Sequence, residues 1–128
     1  MLQIPGLFIT TSPGRGRGVF TATAIEKGSL IEICPILVIP PEQVEVIHAT
    51  MLHDYYFLLP DTDGAACIPL GNGCLYNHNP SPNAMVIFDA RFNQLEIHCT
   101  EDIPAGNEIF IDYQDQDREF EAVWFEVV

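Results

Sequence analysis

The stretch Ile103-Pro104-Ala105-Gly106-Asn107-Glu108-Ile109-Phe110-Ile111-Asp112-Tyr113 reads as a tight turn that runs into a strand. On a two-residue period Ile109, Ile111 and Tyr113 share one face, while Phe110 and Asp112 share the other. Tyr113 therefore sides with the apolar residues, where a tyrosine can simply finish the edge of a core and keep its hydroxyl partnered. The same apolar-turn-glycine-apolar layout occurs earlier, in Ile25-Glu26-Lys27-Gly28-Ser29-Leu30-Ile31. Two copies are too few for a solenoid, so they read as two similar turns feeding two strands.

Outward from these turns, most of the chain is short β-branched or aromatic runs separated by Gly, Pro, Asn and Asp, the pattern of an all-β domain. The runs predict strands over Leu7 to Thr10, Gly18 to Ala22, Ser29 to Ile39, Tyr55 to Leu59, Ala66 to Leu70, Ala84 to Phe88, Gln94 to Cys99 and Glu108 to Tyr113. Asp63-Gly64 predicts a hairpin turn, because glycine accepts the positive φ that primed turns require. Pro41 to Leu52 is the exception: Pro41 suits a first helical turn, Glu42 suits its positive end, and Val44, Ile47 and Met51 recur at helical spacing. The segment from Gln114 to Val128 is acidic and then aromatic, with Phe120, Trp124 and Phe125 too apolar for a solvated tail. It is expected to fold over a ligand or a second subunit.

With 128 residues, 48% of them hydrophobic, the chain has the size of one domain with a core of its own. No apolar run is long enough to span a bilayer, and the start lacks the basic leader and apolar stretch of a signal peptide, so a soluble, intracellular protein is expected. Cys34, Cys67, Cys74 and Cys99 form no C-x-x-C pair, which argues against a zinc ribbon and a disulfide scaffold and for reduced thiols. Eighteen acidic against five basic side chains give a net charge of -13. That field repels nucleic-acid phosphates and attracts cationic partners, although acidity also serves solubility alone.

Three segments carry chemistry. Gly14-Arg15-Gly16-Arg17-Gly18 is the densest glycine cluster; it is either a glycine-rich β-turn or a loop whose backbone approaches a ligand closely. It is no dinucleotide fingerprint, since Val19-Phe20-Thr21 follows where a helix must start, and no Gly-Lys-Ser/Thr is present. Leu75-Tyr76-Asn77-His78-Asn79-Pro80-Ser81-Pro82-Asn83 is a polar loop that reads as a turn with Asx capping or as a set of donors and acceptors for a site. The closing turn and strand are the third. A metal centre is not expected: among His48, His53, His78 and His98 only the first two are close in sequence, without the H-E-x-x-H pattern. No serine sits in a Gly-x-Ser-x-Gly elbow, and no cysteine has the context of a protease nucleophile.

Taken together, in this order and at these separations, the three segments resemble the SET-domain signature. Gly16-Arg17-Gly18-Val19-Phe20-Thr21-Ala22 is similar to the family's opening glycine motif, and Ile25-Glu26-Lys27-Gly28 to the turn that follows it. Asn77-His78-Asn79-Pro80-Ser81-Pro82-Asn83 resembles its Asn-His-Ser-x-x-Pro-Asn motif, and Ile103 to Tyr113 its closing Gly-Glu-Glu-Leu-Thr-x-x-Tyr segment. Asp54-Tyr55-Tyr56-Phe57 is similar to the mid-domain tyrosine segment of the small viral members. The resemblance covers a motif-bearing core of residues 15 to 113 within a single SET domain of residues 1 to 128, with 114 to 128 as a C-terminal flap. It implies a mostly-β SET fold, or β-clip, of short strands in small sheets, with one or two short helices and a pseudoknotted C-terminal segment.

The activity implied is S-adenosylmethionine-dependent methylation of a lysine in a basic protein or peptide such as a histone, in the cytoplasm, or in the nucleus of a eukaryotic or viral source. No nucleic-acid or membrane partner is implied; a homodimer would complete the substrate groove of so short a domain. By the same resemblance Gly16, Arg17 and Gly18 would hold the methionine end of the cofactor, and Asn77 and His78 its amino and adenine parts, largely through backbone. Tyr113 matches the catalytic tyrosine and Tyr55 the second one, with Tyr56 as the alternative if the register slips by one; Tyr56 and Ile111 would line the lysine channel. Ile111 is smaller than the Phe or Tyr of many members, which leaves room for multiple methylation. The chain departs from the pattern at Asn79, in place of serine, and at Cys74, where many relatives carry arginine. No cysteine-rich zinc segment follows Tyr113, so Phe120 or Trp124 would cover the adenine. The competing reading is a SET-fold scaffold that binds basic partners with weak transfer or none.

Overall fold

A computed structural model describes residues 2 to 59 and 62 to 112. In chain order the elements are β1 (Leu2–Gln3), β2 (Leu7–Ser12), β3 (Gly16–Thr21), β4 (Leu30–Ile39), α1 (Pro41–His48), a 3-10 turn (Met51–Asp54), β5 (Phe57–Leu58), β6 (Ala66–Pro69), β7 (Asn77–His78), β8 (Ala84–Asp89), β9 (Gln94–Cys99) and β10 (Phe110–Ile111). The architecture is mostly β, of short strands in small sheets with one α-helix, as the motifs implied. The main sheet has the order β5-β6-β4-β9-β8, with β1 also paired to β4; β2 and β3 form a separate hairpin, and β10 pairs with β7.

The long strand β4 serves two neighbours in succession. Its first half runs antiparallel to β9 as far as Pro35↔Gln94, and its second half runs antiparallel to β6 from Ile36↔Pro69. Pro35 has no N–H to give a ladder, so the change of partner falls where one donor is missing anyway. In β9 Leu95, Ile97 and Cys99 are buried while Glu96 and His98 face outward, the clean alternation of a half-covered antiparallel strand. With Val19, Ile31, Tyr76, Phe88, Ile103, Ile109 and Ile111 they form one continuous core.

The two look-alike turns are paired with each other. Ile25 N–H donates to the Ile103 carbonyl at 2.9 Å, and Ile103 N–H donates back to Ile25 at 2.9 Å. Lys27 N–H reaches the Asp102 carboxylate at 2.8 Å. From that clasp the closing segment runs antiparallel to β3, with Ile109 N–H on the Val19 carbonyl at 2.8 Å and Thr21 N–H on the Asn107 carbonyl at 3.1 Å. It then joins β7 in parallel, through Phe110↔Asn77 and Ile111↔His78. Wedged between two earlier segments, it has the threaded placement expected of it.

Several boundaries differ from expectation. The predicted strand at Tyr55 to Leu59 shrinks to Phe57–Leu58, because the 3-10 turn, capped by Thr50 Oγ1 accepting from Leu52 N–H at 3.1 Å, runs to Asp54 with Tyr55 closing it. The helix ends at His48 and buries none of its residues; Val46 and Met51 are among the most exposed apolar side chains. Helical spacing was present there without a core to face. The polar Asn77-His78 pair, predicted as loop, is a strand because β10 supplies its partner. Asp63 and Gly64 both carry positive φ, 52° and 93°, as the expected primed turn requires. Among the described residues no helix is long and apolar enough to cross a membrane. The C-terminal flap, including Phe120 and Trp124, lies outside the described residues.

Candidate functional site

The β2–β3 hairpin turns tightly, with Arg15 N–H on the Ser12 carbonyl at 3.0 Å. Its second strand is the glycine motif. A cleft of about 880 Å³ opens beside it, lined by Arg15, Gly16 and Arg17 from the hairpin, His53 to Leu58 from the 3-10 turn and β5, and Cys74, Leu75, Asn77 and His78 from the start of β7. The volume suits a ligand of nucleoside size. Gly16, Arg17, Tyr55, Tyr56, Asn77 and His78 are thus brought to one cavity. Ile111 is fully buried in the core and is not among the lining residues, and Gly18 sits one layer behind the wall. Tyr113 lies outside the described residues.

Gly18 is where the three segments touch. A Cβ built on it would lie 2.2 Å from Glu108 Oε2 and 2.7 Å from Asn77 Nδ2, so only glycine fits. Asn77 Nδ2 donates to the Arg17 carbonyl at 2.9 Å and to Glu108 Oε2 at 2.8 Å, and Ser12 Oγ donates to Glu108 Oε1 at 2.6 Å. Glu108 is buried, as a carboxylate can be only where donors meet it. Beside it the His78 Nδ1 stands 3.4 Å from the buried Asp112 carboxylate. On the other flank Asn83 replaces a strand: its Nδ2 donates to the Glu108 carbonyl at 3.0 Å and its Oδ1 accepts from Phe110 N–H at 2.8 Å.

The departures from the motif have local roles. Asn79 Oδ1 accepts from Ser81 N–H at 2.8 Å, an Asx turn, while its own N–H holds the Ile111 carbonyl at 2.9 Å. The Cys74 thiol donates to the carbonyls of Pro69 at 3.0 Å and Tyr55 at 3.4 Å, tying the tyrosine segment to the cleft floor. Burial pushes that thiol up to about 11, so it stays protonated and uncharged at neutral pH. Tyr56 is held from the other side, its hydroxyl 2.8 Å from His48 Nδ1.

Glu108, Ser12, Asp112, Asn83 and the lining residue His53 were not singled out from sequence. Glu108 and Asp112 share a face with Phe110 and alternate with apolar residues as solvent-facing acids would, so no local pattern marked them; they are buried only because β3 and β7 enclose the segment. Two acids on one face of an enclosed strand need partners.

The hairpin glycines and the Asn-His strand on one cleft, with the enclosed closing strand behind them, define the class, and the chain belongs to the SET-domain family: the family model of the SET domain matches residues 16–114. Among its relatives is a Schizosaccharomyces pombe histone-lysine N-methyltransferase specific for H3 lysine-37, 31% identical over 94% of this chain and 77% of the relative. The crystal structure of a Plasmodium falciparum candidate histone methyltransferase superposes with a TM-score of 0.67 at 32% identity, covering 84% of this chain and 96% of that one. The fold also matches ctPRC2, solved in an autoinhibited conformation bound to S-adenosylmethionine, with a TM-score of 0.70 at 22% identity over 87% of this chain and 15% of the other.

Proposed function

We propose that this chain is a protein-lysine N-methyltransferase that uses S-adenosylmethionine and acts on a basic, histone-like protein or peptide. The observation that carries it is the convergence of Gly16, Arg17, Asn77 and His78 with Tyr55 and Tyr56 on a single cleft. The donor set fits an amino-acid nucleoside. Arg15 and Arg17 are cations for a carboxylate, Asn77 Oδ1 is an acceptor for an ammonium, and Leu75 offers apolar surface to a base. S-adenosylmethionine supplies the activated methyl group.

The protein's part is alignment and desolvation. Holding an amine in line with the methyl carbon supplies about 7 kcal/mol or more of barrier reduction when well realised. An aromatic channel strips water from the lysine ammonium, which lowers its proton affinity and frees the lone pair. Tyr113 and Tyr55 are the proposed catalytic pair, with Tyr56 as the proposed channel residue; Ile111, buried in the core, is proposed to back the channel rather than to line the cleft. The net charge of -13 steers a basic substrate towards the domain. The S. pombe relative's named action on histone H3 supports a histone tail as the first substrate to try.

Calorimetric titration with S-adenosylmethionine, followed by mass-spectrometric methylation assays on histone peptides, tests the proposal. Binding and transfer are expected. Tyr113→Phe should cut transfer strongly while donor affinity stays near wild type. A protein that takes up no donor, or a Tyr113→Phe variant that transfers as well as wild type, refutes the respective assignment.

A further inference from the structure

The Asn77 carboxamide has two N–H groups and one oxygen, and both N–H groups are spoken for. One faces a main-chain carbonyl, Arg17 at 2.9 Å, and the other a carboxylate, Glu108 Oε2 at 2.8 Å. Neither partner can donate in its place, so the amide has a single workable orientation and its Oδ1 is the atom left for a ligand in the cleft. Glu108 is itself fixed from behind by Ser12 Oγ at 2.6 Å, and a Cβ at position 18 would displace it. It lines no part of the cleft.

We infer that Glu108, braced by Ser12, is a positioning residue for the donor: it locks the Asn77 carboxamide with Oδ1 outward and thereby sets recognition of a cationic N–H group in the cleft. This rests on the proposed function, since that group is the α-ammonium of the donor's amino-acid portion. The carboxylate also polarises the amide, making Oδ1 a better acceptor than that of an unassisted asparagine. Glutamine at 108 keeps the shape and loses the lock. Its own amide can meet Asn77 with either end, so only the Arg17 carbonyl still opposes turnover of the Asn77 carboxamide, which then presents N–H to an ammonium in part of the molecules.

The experiment compares S-adenosylhomocysteine with its analogue lacking the α-amino group, by calorimetric titration of wild type, Glu108→Gln and Ser12→Ala. Wild type should prefer the amino-bearing ligand by about tenfold, the worth of one charge-assisted hydrogen bond. Glu108→Gln should lose most of that preference while affinity for the deaminated analogue stays put, and Ser12→Ala should lose a smaller part of it. If Glu108→Gln does not fold, by melting curve, the partial loss in Ser12→Ala carries the test. A wild-type preference retained in the folded variants overturns the inference, as does an equal loss for both ligands, which is the mark of a purely structural role. Wild type binding neither ligand overturns the proposed function instead, and the inference with it.

Discussion

Replacing Gly18 by alanine adds one methyl group where the backbone is pressed against the Glu108 and Asn77 side chains. The new Cβ stands 2.2 Å from Glu108 Oε2, 2.7 Å from Asn77 Nδ2 and 2.9 Å from Glu108 Cδ. Ordinary van der Waals contact begins at about 3.4 Å, so the carboxylate must withdraw by about 1.2 Å. It cannot do so and keep both its 2.6 Å bond to Ser12 and its 2.8 Å bond to Asn77. Overpacking with loss of one such bond costs about 3 kcal/mol. The backbone of Gly18 lies outside the left-handed region, so alanine also restricts the unfolded chain and returns about 0.5 to 1 kcal/mol. The net is about 2 kcal/mol, which for a domain of this length lowers the melting temperature by about 8 °C. Gly16→Ala makes a useful contrast: its φ is +78° with nothing within 4 Å, so it meets backbone strain alone, about 1 kcal/mol. Scanning fluorimetry of both variants, with donor titration, reads the difference. Gly18→Ala melting within 2 °C of wild type with unchanged donor affinity, or melting above Gly16→Ala, refutes the packing argument.

Two more outcomes follow from the buried groups. Tyr76→Phe removes the hydroxyl that donates to Glu32 Oε1 at 2.6 Å, inside a core where Glu32 otherwise receives Asn72 N–H at 2.8 Å and Gln3 Nε2 at 3.0 Å on its other oxygen. The loss should be about 2 kcal/mol, seen as a lower urea midpoint with an unchanged slope; an unmoved midpoint refutes it. The thiols give a pH dependence: burial raises Cys74 to about 11 and Cys67 to about 12, and Cys34 higher still, from an ordinary value of 9.0. Since the folded state holds these protons longer than the unfolded chain does, their stabilisation is complete below pH 9 and is lost as pH climbs from 9 through 11 and 12. Melting temperature should therefore fall on that alkaline limb, and alkylation of native Cys74 should rise about tenfold per pH unit between pH 8 and 10, slowed by bound S-adenosylhomocysteine. A rate flat over that range contradicts a raised thiol.

The sequence patterns that were legible are the ones a short window contains. Period-two alternation located β9 and β8, and Asp63-Gly64 located its turn, because each is decided by neighbouring residues. What stayed hidden was decided by distant ones. Asn77-His78 has no strand propensity and becomes a strand only because Phe110 and Ile111 lie alongside. The echo between Ile25 and Ile103 was visible, yet nothing local says that the two copies clasp each other. Val44, Ile47 and Met51 carried a helical period, yet Val44 and Ile47 are only half-buried and Met51 is exposed, since spacing reports what a helix can bury and not what is there to bury it. Glu108 alternates with apolar residues as a solvent-facing acid would. Its burial is met by Ser12 and Asn77, which lie 96 and 31 positions away in the chain.

That dependence on distance also fixes when the site exists. Ser12 and Glu108 are 96 positions apart, Arg17 and Asn77 60, and Asn77 and Glu108 31. Contacts of such separation form late, because the entropy of closing the intervening loops must be met before they contribute anything. Neither the glycine hairpin nor the Asn-His strand is complete until the closing segment slides between them, since that segment supplies the partner of β7 and the carboxylate behind Asn77. A ligand that needs the Asn77 carboxamide held in place favours the threaded chain, and if it binds that state alone, at a hundred times its dissociation constant it stabilises it by about 2.7 kcal/mol. Donor recognition and the seating of the closing strand are in this way one equilibrium, with Glu108 at the joint between them.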